Sequence, residues 1–296
     1  MSGSAKDGAA TVDVDVALVR ELLREQHPDL AGRRLARVDA GWDNAVFRLG
    51  DDLVVRVPRR EPAALLILHE QRWLPELAPR LPLPVPEPVR VGRPGATHPW
   101  AWSVVRWLPG SSALTTPPDD PIAAARTLGA FLRALHEPAP PDAPPNPYRG
   151  IPLGDRDDLT RGWIDEVADR IDAARARACW EAHVALPRWD GPPLWLHGDL
   201  HPHNVIVRDG RVSAVIDFGD LCSGDPATDL GVAWMLFDAD GRAALRAAVR
   251  VDDATWERGR AWAISLAVAV LSSSADRPEY EAFAHHALNA AVVEHD

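Results

Sequence analysis

The stretch Leu196–His197–Gly198–Asp199–Leu200–His201–Pro202–His203–Asn204, followed by Ile216–Asp217–Phe218–Gly219, holds the clearest chemistry of the chain. It supplies a carboxylate at Asp199, an amide five residues later at Asn204, and a second carboxylate thirteen residues after that at Asp217. Transfer of a phosphoryl group from a nucleotide needs three such groups. One positions and deprotonates the attacking hydroxyl, and two hold the magnesium ions that neutralise the phosphates.

The intervening residues act as a spacer. Val205–Ile206–Val207 and Val212–Ser213–Ala214–Val215–Ile216 flank Asp209–Gly210, and Asp-Gly between β-branched runs is a hairpin signal. With the turn there, Arg208 pairs with Arg211 and Asn204 with Val215. Strand alternation then puts Val205, Val207, Val212, Ala214 and Ile216 on one apolar face. Asn204 and Asp217 fall on the other as diagonal neighbours, roughly 7 Å apart, a gap one metal ion can bridge. Hard oxygen donors suit magnesium. His197, His201 and His203 also admit a zinc reading, but no further ligand stands at a zinc-motif spacing and Cys222 is alone.

His197–Gly198–Asp199 with Asn204, then Asp217–Phe218–Gly219, resembles the catalytic and metal-binding loops of the protein-kinase-like fold. Glycine where protein kinases carry arginine, and the following Gly224–Asp225–Pro226–Ala227–Thr228–Asp229–Leu230, narrow the likeness. They resemble the aminoglycoside phosphotransferase family, which includes macrolide and other small-molecule kinases. The resemblance spans roughly residues 30 to 295 and is most specific over 195–232. It implies an α+β, two-lobed fold: a small mixed β-sheet N-lobe over 1–107, a hinge at 108–111 and a mainly helical C-lobe over 112–296, with the nucleotide between them. It implies Asp199 as catalytic base, Asn204 and Asp217 as magnesium ligands, and His197 and Asp229 as supports of the loop. The cofactors it implies are ATP or GTP with magnesium.

The N-terminal elements follow from pattern. Val16, Val19, Leu22 and Leu23 recur at helical spacing, and His27–Pro28 ends the run. Arg34–Asp39, Ala45–Leu49 and Leu53–Val57 read as strands joined by turns. Gly41–Trp42–Asp43–Asn44 would stand over the phosphates, without the G-x-G-x-x-G spacing. Arg56 takes the place of the kinase strand lysine, and its guanidinium suits phosphate and carboxylate. Residues 63–77 read as a helix, with Glu70 as its partner and Glu61 the alternative. Leu74–Pro99, with eight prolines, must be extended or turning. Trp100–Trp107 is a strand leading to the hinge, where the resemblance implies that the Arg106 carbonyl and the Leu108 amide hold the nucleotide base.

Asp120 caps a helix opening at Pro121 and running through His136. Pro138–Pro147 is a loop. Leu159, Trp163, Val167, Ile171 and Ala174 mark one amphipathic helix whose outer carboxylates, Asp165, Glu166 and Asp169, could wall a substrate cleft. Glu279, Glu281, Glu294 and Asp296 could join them. Further helices fall near 226–237, 239–250, 253–271 and 277–294.

Composition sets outer bounds. At 296 residues, 46% hydrophobic and 25% charged, the chain is ordinary globular protein. A net charge of −11 argues against nucleic acid as partner and agrees with a cationic acceptor. Two cysteines, Cys179 and Cys222, give no disulfide framework, so a reducing cytoplasm is the expectation. Met1–Ala10 reads as a disordered tail and not a signal peptide. Ala261–Leu271 is apolar but too short for a membrane span. The substrate class stays open between an antibiotic, aminoglycoside or macrolide, and a metabolic sugar or amino alcohol. A non-catalytic nucleotide-binding module is the rival outside enzymes. The oligomeric state stays open.

Overall fold

The structure is a computed structural model that describes residues 12–40, 43–274 and 278–293. Two compact units emerge. One comprises the described residues up to Pro109 together with Val215–Gly219, the other Gly110–Ala214 together with the described residues from Asp220 onward.

The first unit is built on an antiparallel sheet. Helix α1 (Val16–Gln26) is capped by Asp15, which accepts from the Leu18 amide. Strands β1 (Leu35–Ala40), β2 (Asn44–Leu49) and β3 (Leu53–Pro58) follow, then α2 (Glu61–Leu77), β4 (Pro88–Gly92) and β5 (Trp102–Arg106). The five strands lie in the order β1-β2-β3-β5-β4. Val19, Leu22 and Leu23 of α1 share a core with Phe47, Leu49, Val55, Val57, Trp102 and Val104. Alternation along β3 therefore sends Arg56 to the opposite face, where α2 packs. Gln71 ties α2 to β5 through the Trp102 carbonyl (2.9 Å) and the Ser103 hydroxyl (3.0 Å).

The second unit is mainly helical. Strand β6 (Ser111–Ser112) precedes α3 (Pro121–Leu135), α4 (Asp157–Glu166) and α5 (Ala173–Val184). Strand β7 (Leu194–Leu196) leads to β8 (Val205–Arg208), β9 (Arg211–Val215) and β10 (Cys222–Gly224). Helices α6 (Ala227–Leu230), α7 (Val232–Leu236), α8 (Ala239–Val249), α9 (Asp253–Ser273) and α10 (Pro278–Val293) complete it. Strands β6, β8 and β9 form one sheet, and β10 pairs with β7. No described helix is long and apolar enough to cross a membrane.

Two sequence expectations need correction. The helix expected from Leu159 through Ala174 is two helices, with a break at 167–172. Val167 is buried as expected, but Leu159 is exposed and Thr160 and Ile164 are buried, so the first two turns present a face one position later than the pattern suggested. The proline-rich stretch begins helical: α2 continues through Pro75 to Leu77, and a 3-10 turn covers Ala78–Arg80. Proline removes only one helix hydrogen bond there, close to the end of α2. The tail expected over Met1–Ala10, Gly41 and Trp42, and Glu294 and Asp296 lie outside the described residues.

His183 links α5 to α9. Its Nδ1 lies 2.7 Å from the Cys179 carbonyl and its Nε2 lies 3.1 Å from Glu257. Burial works against the imidazolium, but the contacts with Cys179 and Glu257 lift its pKa to about 9. A raised folded-state value stabilises below the unfolded pKa and is lost as pH rises through the folded one. His183→Gln should therefore lower the melting temperature most below about pH 6.5, the ordinary histidine value. The gap to wild type should narrow as pH approaches about 9. Melting curves across that range check it, and a pH-independent gap would discount the pairing.

Candidate functional site

Asp199 sits in the loop between β7 and the 3-10 turn Pro202–Asn204. Three contacts shape that loop. The buried Asp229 carboxylate accepts from the His197 amide (2.8 Å) and the Gly198 amide (2.9 Å). His197, itself fully buried, accepts the Asp199 amide at Nδ1 (3.2 Å). Asn204 donates from Nδ2 to the Asp199 carbonyl (2.9 Å). Burial alone would push the Asp229 carboxyl upward, but hydrogen bonds from His136 and the Gly198 amide hold it below the usual range. His136 Nε2 stands 3.1 Å from Asp229 Oδ2.

Gly198 has φ +82, and a Cβ there would lie 2.2 Å from the Asp220 carbonyl oxygen. The loop closes against that carbonyl only because no side chain intervenes.

Two nitrogen groups flank the Asp199 carboxylate. Arg149 NH2 reaches Oδ1 at 3.1 Å, and His201 Nε2 lies 3.5 Å from Oδ2. Burial alone would raise the pKa of this carboxyl, while the His201 and Arg149 charges pull it down. His201 stacks on Phe283 of α10 with centroids 6.0 Å apart, and His203 lies 5.6 Å from Tyr280. Sequence pattern did not single out Arg149, Tyr280 or Phe283, because each reaches the loop from a distant segment.

The first unit carries the second cluster. Arg56 NH1 is 2.5 Å from Glu70 Oε2, and its NH2 is 3.5 Å from Asp217 Oδ1. Glu70, not Glu61, is the partner. Burial works against the Arg56 charge, but Glu70 and Asp217 override it and hold the guanidinium firmly protonated. Asp217 is 56% exposed at its side chain and available to a ligand. Asn44 opens β2, and its Oδ1 is buried without a hydrogen-bond partner among the described residues. The Trp107 amide donates to the Asp52 carbonyl (2.8 Å). Backbone groups alternate in direction along a strand, so the carbonyl of Arg106, paired with Leu53 at the end of β5, points away from β3.

The hairpin is present, with Asp209 at φ 51 and Gly210 at φ 72, the signs a two-residue primed turn requires. Its use as a spacer is different from the expectation. Asn204 ends a 3-10 turn, and β9 stops at Val215. Asp217 lies beyond with φ 64. Strand alternation thus reaches neither ligand, and the shared-face argument fails for both. Ile206 and Val215 are buried as well, so the hairpin lacks a single apolar face. The zinc reading gains nothing: among the described residues no three His, Cys, Asp or Glu side chains stand where they could hold a metal ion.

Three of the carboxylates expected to wall a cleft have partners within the protein. Asp165 pairs with Arg177, Glu281 with Arg170 at 2.5 Å, and Glu166 accepts from the Ser272 hydroxyl at 2.6 Å.

Comparison with known proteins places this geometry. Residues 34–262 match the phosphotransferase enzyme family (APH). A homoserine kinase of Gluconacetobacter diazotrophicus is 33% identical over 166 residues, covering 51% of this chain and 45% of that one. The chain spans about half the length of the curated relatives it matches. Among solved structures, the GDP and kanamycin complex of APH(2")-IIIa superposes with a TM-score of 0.69 at 18% identity, covering 94% of this chain and 99% of that one. The macrolide 2'-phosphotransferase MphH of Brachybacterium faecium gives 0.61 at 22%, covering 93% and 98%. These likenesses show the fold, an antiparallel sheet followed by a helical region in the kinase-like manner.

Asp229 offers a direct check of the loop. Asp229→Ala leaves two buried amides unpaired, each worth about 1–3 kcal/mol, so chemical denaturation should show a loss on that scale. Asp229→Asn, with one acceptor oxygen, should fall between. Stability unchanged in both variants would mean that the clamp is dispensable.

Proposed function

Because the chain belongs to the phosphotransferase enzyme family, we propose that it transfers the γ-phosphate of ATP or GTP to a hydroxyl of a small molecule. The observation that carries this reading is Asp199: a carboxylate at the head of a loop whose amides are clamped by Asp229, with Asn204 tied to its carbonyl. An incidental surface aspartate has no such scaffold.

The acceptor oxygen bonds to the γ-phosphorus as the bond from that phosphorus to the β–γ bridging oxygen breaks. The nucleoside diphosphate departs, and the hydroxyl proton passes late to the Asp199 carboxylate. The transition state is loose, so positioning and charge do most of the catalysis. Arg56, oriented by Glu70, neutralises non-bridging oxygens. The Arg106 carbonyl and the Leu108 amide hold the base, and Asn44 lies on the phosphate side. Asn204 and Asp217 suit magnesium by donor type. The Asn204 amide nitrogen is committed to Asp199, leaving its carbonyl oxygen, and Asp217 offers an exposed carboxylate. The ion supplies charge neutralisation of the phosphates when bound.

For the acceptor, the arginine pairing of Asp165 and Glu281 weakens the case for a polycation. The aromatic groups packed on His201, the neighbour of Asp199, favour an acceptor of low charge with an apolar or ring face. Among antibiotics that describes a macrolide better than an aminoglycoside. A small metabolic alcohol is the second reading, favoured by the homoserine kinase likeness. A non-catalytic module has no need of the intact Asp199, Asn204 and Asp217 set.

Two measurements follow. Asp199→Asn should keep the fold and nucleotide affinity while lowering turnover by at least about 10²-fold; near-wild-type turnover would remove Asp199 from the reaction. A panel of macrolide, aminoglycoside and amino-alcohol acceptors, run with coupled nucleotide turnover from about 0.02 to 0.5 M salt, tests the acceptor. The specificity constant for the preferred acceptor should be nearly flat across that range. A steep fall, with an aminoglycoside preferred, would restore the polycation.

A further inference from the structure

We infer that Arg149 is a positioning residue for the transfer, fixing the rotation of the Asp199 carboxylate through Oδ1; this rests on Asp199 being the base. The guanidinium is 2% exposed and lies 3.1 Å from Asp199 Oδ1 and 3.9 Å from Asp220 Oδ2. A carboxylate turns readily about its last torsion, and the turn moves both oxygens. With Oδ1 held by Arg149, Oδ2 is directed toward His201, 3.5 Å away. Misplacing a base by a fraction of an ångström costs rate without costing fold.

The backbone on either side of Arg149 is built to hold it. Asn146 donates to Asp220 Oδ1 (2.9 Å), and the Tyr148 carbonyl accepts from Arg156 NH1 (2.7 Å). The Gly150 amide donates to the Thr228 hydroxyl (2.9 Å), and its carbonyl accepts the Asp225 amide (2.9 Å). Gly150 has φ +66, and a Cβ there would meet Leu196 Cδ1 at 2.7 Å, so the loop lies directly on the strand that feeds Asp199. Arg156 has no carboxylate partner among the described residues and packs on Trp262, 4.6 Å from its centroid. Burial and the nearby Arg149 charge lower its pKa to about 9. A buried guanidinium kept without a carboxylate, holding the Tyr148 carbonyl, is costly, and it secures the residue preceding Arg149.

The test is a double-mutant cycle on the full chain, reading magnesium-dependent ATP hydrolysis with water as acceptor. Arg149→Lys keeps a charge but loses the fork. It should lower kcat about 10-fold, and Arg149→Met about 10²-fold, with the KM for ATP within about two-fold of wild type. In an Asp199→Asn background both changes should become nearly silent, since the group they position is gone. Arg149→Lys alone suffices if Arg149→Met does not fold. Wild-type kcat in Arg149→Lys, an effect confined to KM, or an undiminished loss in the Asp199→Asn background would each overturn the inference. Loss of turnover in Asp199→Asn without loss in Arg149→Lys refutes only this step. An Asp199→Asn variant as active as wild type refutes the function beneath it.

Discussion

The second unit depends on where the Asp229 carboxylate sits. Pairing between β7 and β10 ends at Leu196 opposite Cys222, so the next two amides have no strand to bond. Buried amides must be paired, and Asp229 takes both. That carboxylate is itself placed by a chain of constraints. It lies on α6, whose start is set by Asp225 accepting the Ala227 amide at 3.0 Å. Asp225 is gripped by Arg258 of α9 through two bonds, at 2.7 and 3.2 Å, with both side chains 4% exposed. The Asp199 loop is therefore held from α9, more than fifty residues on in sequence. Removing either partner of a buried pair like this strands a charge, so the loop and the helical core rise and fall together.

The two units share a charge motif although they differ in architecture. In each, one nearly buried arginine serves a close carboxylate and a second, more distant one. Arg56 has Glu70 and Asp217, and Arg149 has Asp199 and Asp220. Each trio carries one negative charge in excess. A fixed guanidinium favours the charged form of a carboxylate beside it without a mobile counter-ion.

Legibility in the sequence followed the range of the interaction. Asp199, Asn204 and Asp217 could be singled out as candidates because their spacing is local. The Asp120 cap was readable for the same reason, and it accepts the Ala123 amide at 3.0 Å. The helix break at 167–172 was not readable: no glycine or proline marks it, and the register is set by packing of Ile164 and Val167. Arg149 and His136 were hidden for a related reason. Each is an ordinary residue at the end of an ordinary segment, and only tertiary placement brings it to a carboxylate 50 or 93 positions away. The hairpin shows a subtler limit. Its turn was read correctly from Asp-Gly, yet the face argument failed because Asp217 adopts a left-handed backbone that no periodicity announces.

Gly198 leaves no room for a side chain next to Asp199, and the arginine that contacts this carboxylate is Arg149. The protein-kinase-like pattern places an arginine at the position before its aspartate, and this chain has Gly198 before Asp199. With the Asp220 carbonyl 2.2 Å from any Cβ, no side chain fits without moving the 217–220 segment. A cation beside Asp199 must then be delivered by another part of the chain. The proline-rich loop does so: six prolines between Pro138 and Pro147 restrict its backbone before folding, which reduces the entropy lost in fixing it. The close backbone approach at Gly198 and the rigid path to Arg149 are thus two halves of one solution. Replacing Gly198 by arginine would not substitute for Arg149, because its Cβ would meet the Asp220 carbonyl oxygen at 2.2 Å.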